Sequence, residues 1–229
     1  MRKILVGNNI SEKCISGLRD RGFEVVLLPP FSMLDGPVST HADMLTFYFG
    51  GRLLTHGAYY TENKELFDGL GVCVELIPES VGSTYPDDIL LNAVLTEEGI
   101  LFSKTSAISE AVKSLATAFV GVKQGYTACS TCRVTDKAFL TTDSGLCRQY
   151  TENGIRSIAV TKEGIDLPGY DCGFIGGSSF VTEEAVCFFG RVEDHPDYEN
   201  IKAFVEGEGK KIISLSNEKL TDIGGAVVI

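Results

Sequence analysis

The sequence has 229 residues, of which 44% are hydrophobic, and its 31 acidic and 20 basic side chains give a formal net charge of −11. A chain of this length can bury a sizeable core, and we expect one domain covering residues 1–229. The acidic balance excludes nucleic acid and anionic membranes as main partners, because both bind basic surfaces.

Cysteine usage and the apolar runs indicate where the protein works. The apolar run after Met1-Arg2-Lys3 is too short for a signal peptide, and no stretch approaches transmembrane length. The seven cysteines are an odd number and lie mostly in apolar, strand-like runs, which indicates reduced thiols and no disulfide framework. We therefore expect a soluble, cytoplasmic protein.

The predicted elements follow one another in a recurring order. The N-terminal segment gives a strand over 3–6, a helix between Ser11 and Gly22, and a strand over 23–28. Each of the next four segments gives strand, strand, helix and strand, over 44–49, 52–55, 61–69 and 72–77; 89–95, 100–103, 106–118 and 119–122; 129–134, 138–142, 144–153 and 157–160; and 174–181, 185–189, 196–206 and 211–215. The chain ends in a lone strand over 224–229.

This order predicts a ring of five units. The hairpin turns at Gly50, Glu98, Asp136 and Glu183 recur at roughly 40 to 50 residues, which is typical of radial or solenoid arrays. The lone last strand completes a fifth unit with the N-terminal segment, so we predict a five-bladed α/β propeller whose last blade is closed by both termini. A doubly wound sheet is the alternative, but a hairpin precedes nearly every helix and the sequence has no glycine-rich phosphate loop.

In such a ring the starts of the first strands meet at one end of the central axis. His41 and Asp43 come from the first of these strands, and at a spacing of two they would share a face. A carboxylate beside an imidazole raises its pKa and favours the protonated form, which can act as a general acid. The alternative for His41 is an ordinary histidine of a surface loop.

Cys129 begins the first strand of the third unit, after the tight turn Gly125-Tyr126-Thr127, where its thiol could reach a cleft. Alternatively, Cys129 and Cys132 are small buried apolar residues, as most free cysteines are. The pair does not lie between a strand and a helix N-terminus, as a redox motif would, and no second pair completes a zinc site. We therefore predict no metal and no cofactor.

Together the repeat and its motifs resemble the pentein superfamily, whose members modify guanidino groups. The motifs are His41-x-Asp43 and Gly125-Tyr126-Thr127-x-Cys129-Ser130-Thr131. The whole chain further resembles an uncharacterised bacterial family of that fold, through His41-Ala42-Asp43, Tyr85 to Ala93, Lys123 to Thr127 and Gly173 to Gly177.

The resemblance implies a cysteine-dependent hydrolase or transferase for a small guanidine or amidine substrate, with a covalent intermediate. Carried over from the hydrolytic members, Cys129 is the nucleophile, His41 is the general acid and base, and Asp43 positions the histidine and the substrate. The residues expected to bind substrate are Asp88, Asn92, Gln124, Thr127 and Asp222.

Two features depart from the superfamily's pattern. The cysteine lies mid-sequence instead of near the C-terminus, which a closed ring tolerates as a circular shift. The following blade should supply an acidic pair for the guanidinium, but it has Gly176-Gly177-Ser178, so Asp88 and Asp222 are the candidate replacements.

Two other kinds of function stay open. One is a non-catalytic ring that binds a macromolecular partner, and the other is a thiol redox or metal protein that uses Cys129 and Cys132 together. The sequence leaves the substrate, the activity of the site and the oligomeric state undetermined.

Overall fold

The structure is a computed structural model that describes residues 2–229. Its strands are β1 (Arg2–Gly7), β2 (Phe23–Leu28), β3 (Thr46–Phe49), β4 (Arg52–His56), β5 (Cys73–Ile77), β6 (Val94–Leu95), β7 (Ile100–Ser103), β8 (Ala118–Gly121), β9 (Thr131–Thr135), β10 (Ala138–Thr141), β11 (Arg156–Ala159), β12 (Ser179–Val181), β13 (Ala185–Phe188), β14 (Lys211–Ser214) and β15 (Ala226–Val228). Its helices are α1 (Glu12–Arg19), α2 (Ala42–Leu45), α3 (Gly57–Glu62), α4 (Lys64–Asp68), α5 (Glu110–Lys113), α6 (Ser144–Glu152) and α7 (Tyr198–Gly207).

The strands form five three-stranded sheets. In four of these sheets, the first two strands form an antiparallel hairpin and the third strand pairs in parallel with the second. Helical segments connect the second strand to the third, because two parallel strands need a long crossover connection. The fifth sheet has the order β15-β1-β2, with Ile4 paired to Val228. The five predicted units are therefore present in a mixed α/β fold, and the last one joins both ends of the chain.

Local sequence explains the better-formed elements. Ser11 caps α1 by accepting a hydrogen bond from the Cys14 N–H at 3.3 Å. The turn between β3 and β4 uses Gly50 and Gly51 at φ values of 58° and 81°, which matches the twist of a tight hairpin. None of the helices in residues 2–229 combines the length and apolar character needed to cross a bilayer.

Several predicted elements are shorter than the sequence suggests. The strands predicted over 89–95, 129–134 and 174–181 begin only at Val94, Thr131 and Ser179. The apolar residues before these points are buried in turns, and a short apolar run has the same pattern in a buried turn as in a strand. The helix predicted over 61–69 is two short helices separated at Asn63, and the helix predicted over 106–118 keeps only Glu110–Lys113.

The turns that replace the predicted strand starts are linked to one another by hydrogen bonds. The Asn92 Nδ2 donates to the Asp43 carbonyl at 3.2 Å, and the Ala128 N–H donates to Asn92 Oδ1 at 2.8 Å. The Gly177 N–H donates to the Cys129 carbonyl at 2.9 Å, and the Gly225 N–H donates to the Gly177 carbonyl at 2.7 Å. The Asp43 N–H in turn donates to the Gly224 carbonyl at 3.1 Å. This series passes through a segment of each unit and returns to Asp43. It gathers residues that are far apart in the sequence.

Candidate active site

Cys129 lies in the turn before β9 and is 3% exposed. Its sulfur accepts a hydrogen bond from Asn92 Nδ2 at 3.1 Å, and its N–H lies 3.4 Å from Asn92 Oδ1. The prediction that Cys129 starts a strand is therefore wrong, because its N–H faces a side-chain amide instead of a neighbouring strand. The turn holds the thiol at the point where the inner segments meet.

His41 is the N-cap residue of α2, so it does not share a strand face with Asp43 as predicted. It is 1% exposed, and neither ring nitrogen has a hydrogen-bond partner. Burial lowers the pKa of His41 to about 4, which is opposite to the increase predicted from Asp43. At neutral pH the imidazole is therefore uncharged and can accept a proton.

Asp222, from the fifth unit, lies beside the His41 ring. Its carboxylate lies 3.9 Å from His41 Nδ1 and accepts hydrogen bonds from the N–H groups of Phe174 at 2.8 Å and Gly224 at 3.0 Å. Burial raises the pKa of Asp222 to about 6 despite these bonds. Because His41 is uncharged at neutral pH, the two groups do not form an ion pair there.

Asp43 is the second carboxylate close to the thiol. It is half-buried, but its Oδ1 is buried without a partner. Burial, and then the charge of Asp222, raises the pKa of Asp43 well above its usual range. Burial and the same two carboxylates raise the pKa of Cys129. Asp43 and Cys129 thus hold their protons more tightly than usual, and a positive charge that entered the cluster would favour their ionised forms.

Glycines explain why Asp222 can come so close. A Cβ atom on Gly177 would lie 1.9 Å from Asp222 Oδ1, and one on Gly224 would lie 2.3 Å from the His41 Cβ. Gly224 also has a φ of 78°, which side chains disfavour. Gly177 and Gly224 therefore make room for the Asp222 carboxylate beside His41.

The thiol opens onto a cavity of about 140 Å³. The groups proposed for the chemistry that line it are His41, Cys129 and Asp222, and the remaining lining residues are Val38, Tyr126, Leu167, Tyr170, Cys172 and Phe174. The sequence did not predict that these remaining residues form the cavity walls. Three of them, Leu167, Tyr170 and Cys172, lie in a loop with no recognisable motif. Asp43 lines a separate cavity of about 410 Å³.

The other residues predicted to bind substrate contact the chain itself. Asp88 is buried and accepts a hydrogen bond from the Tyr126 hydroxyl at 2.7 Å. The Gln124 amide donates to Asp143 at 3.2 Å, and the Thr127 hydroxyl donates to the Gln124 carbonyl at 2.8 Å. None of the three lines the thiol cavity, and substrate binding by them stays a prediction.

His41, Asp43 and Cys129 could also hold a metal ion. One donor atom from each of them lies within 4.8 Å of the other two. Imidazole nitrogen, carboxylate oxygen and thiolate sulfur are all ligands of Zn²⁺ in proteins. From the sequence, the same three residues were predicted as a catalytic set without a metal, because no second cysteine or histidine pair at metal-ligand spacing accompanies Cys129 and Cys132.

The stability of the fold should carry two opposing pH-dependent contributions from the cluster. The pKa of His41 falls from 6.5 to about 4 on folding, so the unfolded chain binds the proton first and acid between pH 6.5 and 4 lowers the free energy of unfolding. The pKa of Asp222 rises from 3.8 to about 6 on folding, so the folded chain binds the proton first. Acid over nearly the same pH range therefore raises the free energy of unfolding. Each contribution is about 3 kcal/mol.

Single substitutions should separate these contributions. Compared with the unsubstituted protein, His41→Gln should gain stability as the pH falls from 6 to 4, and Asp222→Asn should lose stability over the same range. Urea unfolding at several pH values measures both. The same pH slope in the two variants would contradict the pKa shifts.

Comparison with known proteins places the chain in a family. The model of the family described as "Family of unknown function (DUF6873)" matches residues 5–227. The chain belongs to this family. A search of curated proteins finds no significant match for this DUF6873 member.

Solved structures with the same fold are guanidino-modifying enzymes. DDAH from Pseudomonas aeruginosa, a cysteine-to-serine mutant complexed with citrulline, is 10% identical and has a TM-score of 0.57, with 100% of this chain and 99% of that chain covered. An amidinotransferase from Microseira wollei in the saxitoxin biosynthetic pathway is 8% identical, with a TM-score of 0.55 and coverage of 99% and 94%. The agmatine deiminase of C. jejuni is 8% identical, with a TM-score of 0.56 and coverage of 96% and 90%. These are pentein-fold proteins, so the DUF6873 member has the pentein fold that the sequence motifs predicted.

Proposed function

We propose that this protein is a cysteine-dependent hydrolase or transferase that acts on a small guanidine or amidine cation through a covalent intermediate on Cys129. The observation that carries the proposal is the convergence of Cys129, His41 and Asp222 on one cavity. The pentein-fold neighbours that act on guanidino compounds support the same kind of reaction.

The charges of the site favour a cationic substrate. Asp222 is buried and Asp43 half-buried near the thiol, and no lysine or arginine lines the thiol cavity. A buried carboxylate without a positive partner is costly, and a bound cation would remove that cost. We assign Asp222 to face the cation, because Asp222 lines the thiol cavity and Asp43 does not.

The same groups can carry the chemistry with balanced atoms. The Cys129 thiol gives its proton to neutral His41, and the thiolate attacks the central carbon of the amidinium group. The C–N bond then breaks as His41 returns the proton to the departing amine, which leaves the carbon bonded to sulfur. Water, or an acceptor amine in a transferase, then attacks this carbon while His41 takes its proton. The C–S bond breaks, and His41 returns that proton to the sulfur, which regenerates the thiol and the neutral imidazole.

We also propose that the five sheets are blades of a propeller that forms one domain over residues 1–229. The hydrogen bonds that run from Asp43 through Asn92, Cys129 and Gly177 to Gly224 support this arrangement, because they link the inner segments of consecutive units and return to the first. In one such domain the site would lie at one end of the axis.

Alkylation of Cys129 tests the proposed function. The quantity to measure is the rate of alkylation by cationic 2-chloroacetamidine divided by the rate with neutral iodoacetamide. This ratio should be at least about tenfold higher at Cys129 than at exposed Cys73, because the cation offsets the carboxylate charges near Cys129. Mass spectrometry of the modified peptides gives both rates. Asp222→Asn should reduce the preference, and Asp68→Asn, at a surface ion pair with Lys64, should leave it unchanged.

The alternative function predicts a different result. In a non-catalytic binding protein Cys129 is only a buried apolar residue, and its raised pKa favours that interpretation. Cys129 would then react slowly with both reagents, with no preference for the cation. Equal reagent preference at Cys129 and Cys73 would overturn the enzymatic proposal.

A further inference from the structure

We infer that the substrate is a small amidinium or guanidinium ion that carries no carboxylate, of the size of methylguanidine or acetamidine, and is not an amino acid such as arginine. This inference rests on the proposed function and adds the class of substrate. It follows from the size of the thiol cavity and from the chemistry of its walls.

The cavity is small for a ligand site. Its volume of about 140 Å³ is close to that of an engineered protein cavity of about 150 Å³ that binds benzene. Pockets for larger organic ligands have volumes of roughly 300 to 1,000 Å³. A planar cation with one small substituent therefore fills the space, and the amino acid group of an arginine would have to lie outside it.

The walls offer nothing to a carboxylate. No lysine or arginine lines the cavity, and its lining groups outside the proposed chemistry are apolar side chains, the Cys172 thiol and two tyrosines. The hydroxyls of Tyr126 and Tyr170 donate instead to Asp88 and Asp35, each at 2.7 Å. A carboxylate placed here would lose its hydration without gaining a partner, whereas a methyl group would contact Leu167 and Val38.

Two loops set the size of the cavity. Tyr170 bonds to Asp35, and the Gly169 backbone lies so close to Pro37 that a Cβ there would be 2.6 Å from its Cγ. The loop that carries Leu167 and Tyr170 is thus held against the loop before His41. Lys162 stands over the Phe174 ring, 4.3 Å from its centroid, but does not line the cavity.

Protection of Cys129 from 2-chloroacetamidine tests the substrate class. Methylguanidine and acetamidine should protect the thiol at concentrations at least about tenfold lower than those at which L-arginine and agmatine protect it. Turnover, measured as release of ammonia or amine, should likewise be faster with methylguanidine and acetamidine than with L-arginine and agmatine. Tyr170→Ala opens the wall and should reduce the difference between the protecting concentrations of methylguanidine and agmatine. Tyr170→Phe keeps the ring and should retain most of that difference. Lys162→Ala is the control for a carboxylate site at the rim and should leave the order unchanged.

The outcomes separate this inference from the proposed function. Stronger protection by L-arginine than by methylguanidine overturns the substrate class and leaves the cysteine chemistry in place. A loss of L-arginine protection in Lys162→Ala would also overturn the class, because it would reveal a carboxylate site. Absence of protection by every cation overturns the proposed function together with the inference.

Discussion

A Cys129→Ala protein is expected to lose turnover of guanidine and amidine substrates by about a thousandfold or more. In the proposed reaction the sulfur forms the covalent intermediate, and loss of such a nucleophile removes the whole pathway. The fold should survive, because the removed atom leaves a small gap and Asn92 Nδ2 keeps its bond to the Asp43 carbonyl. Amine release and the melting temperature, measured on the same preparation, give the two results.

Cys132→Ala is the matched control. Cys132 is also buried, 2% exposed, but it packs with Val134 and Leu140 and does not line the thiol cavity. This variant should keep its turnover. Retained turnover in Cys129→Ala would remove the assignment of the nucleophile, and equal losses in both variants would favour a thiol pair that acts together.

Replacement of Asn92 by alanine should weaken both the fold and the thiol site. Asn92 is 1% exposed, and its amide bonds to the Asp43 carbonyl, the Ala128 N–H and the Cys129 sulfur. Alanine would leave the carbonyl and the N–H buried without partners, at about 1 to 3 kcal/mol each. We expect the free energy of unfolding to fall by about 3 kcal/mol and Cys129 alkylation by 2-chloroacetamidine to slow about tenfold.

Asn153→Ala is the control for this substitution. The Asn153 amide donates to the Gln149 carbonyl at an exposed helix end, so its loss should change the free energy of unfolding by less than about 0.5 kcal/mol. Urea unfolding compares the two variants. If one domain contains all five sheets, Asn92→Ala should unfold in a single transition at lower urea, and loss of only part of the structure would contradict the single domain.

The repeat made much of the fold predictable. Hairpin turns such as Gly50-Gly51 and the lone strand at the end of the chain indicated five units, and the structure has five sheets. The starts of the first strands were less predictable. Residues 89–93 were predicted as part of a strand, but their backbone forms local turns, such as the bond from the Asn92 N–H to the Ile89 carbonyl. Residues 174–178 were predicted in the same way, but Gly177 forms backbone bonds with Cys129 and Gly225 of other units, which sequence periodicity does not detect.

Part of the candidate cavity was predictable as residues, but not their arrangement or the residues of its walls. Cys129, His41 and Asp222 do meet at one cavity. The direction of the His41 pKa shift was predicted wrongly, because it depends on burial, which a sequence spacing of two residues does not reveal. Asn92 was expected to bind substrate, which stays a prediction, and the structure adds that its amide links the segments around the thiol.

The pairing of β1 with β15 also bears on how quickly the protein folds. Ile4 pairs with Val228, so the fifth sheet joins residues from almost opposite ends of the sequence. Contacts at such separation are slow to form, because the loss of chain entropy precedes the gain in contact energy. Asp222 and Gly224 lie just before β15, so the pocket around the thiol should be completed in the last steps of folding, after the local hairpins have formed.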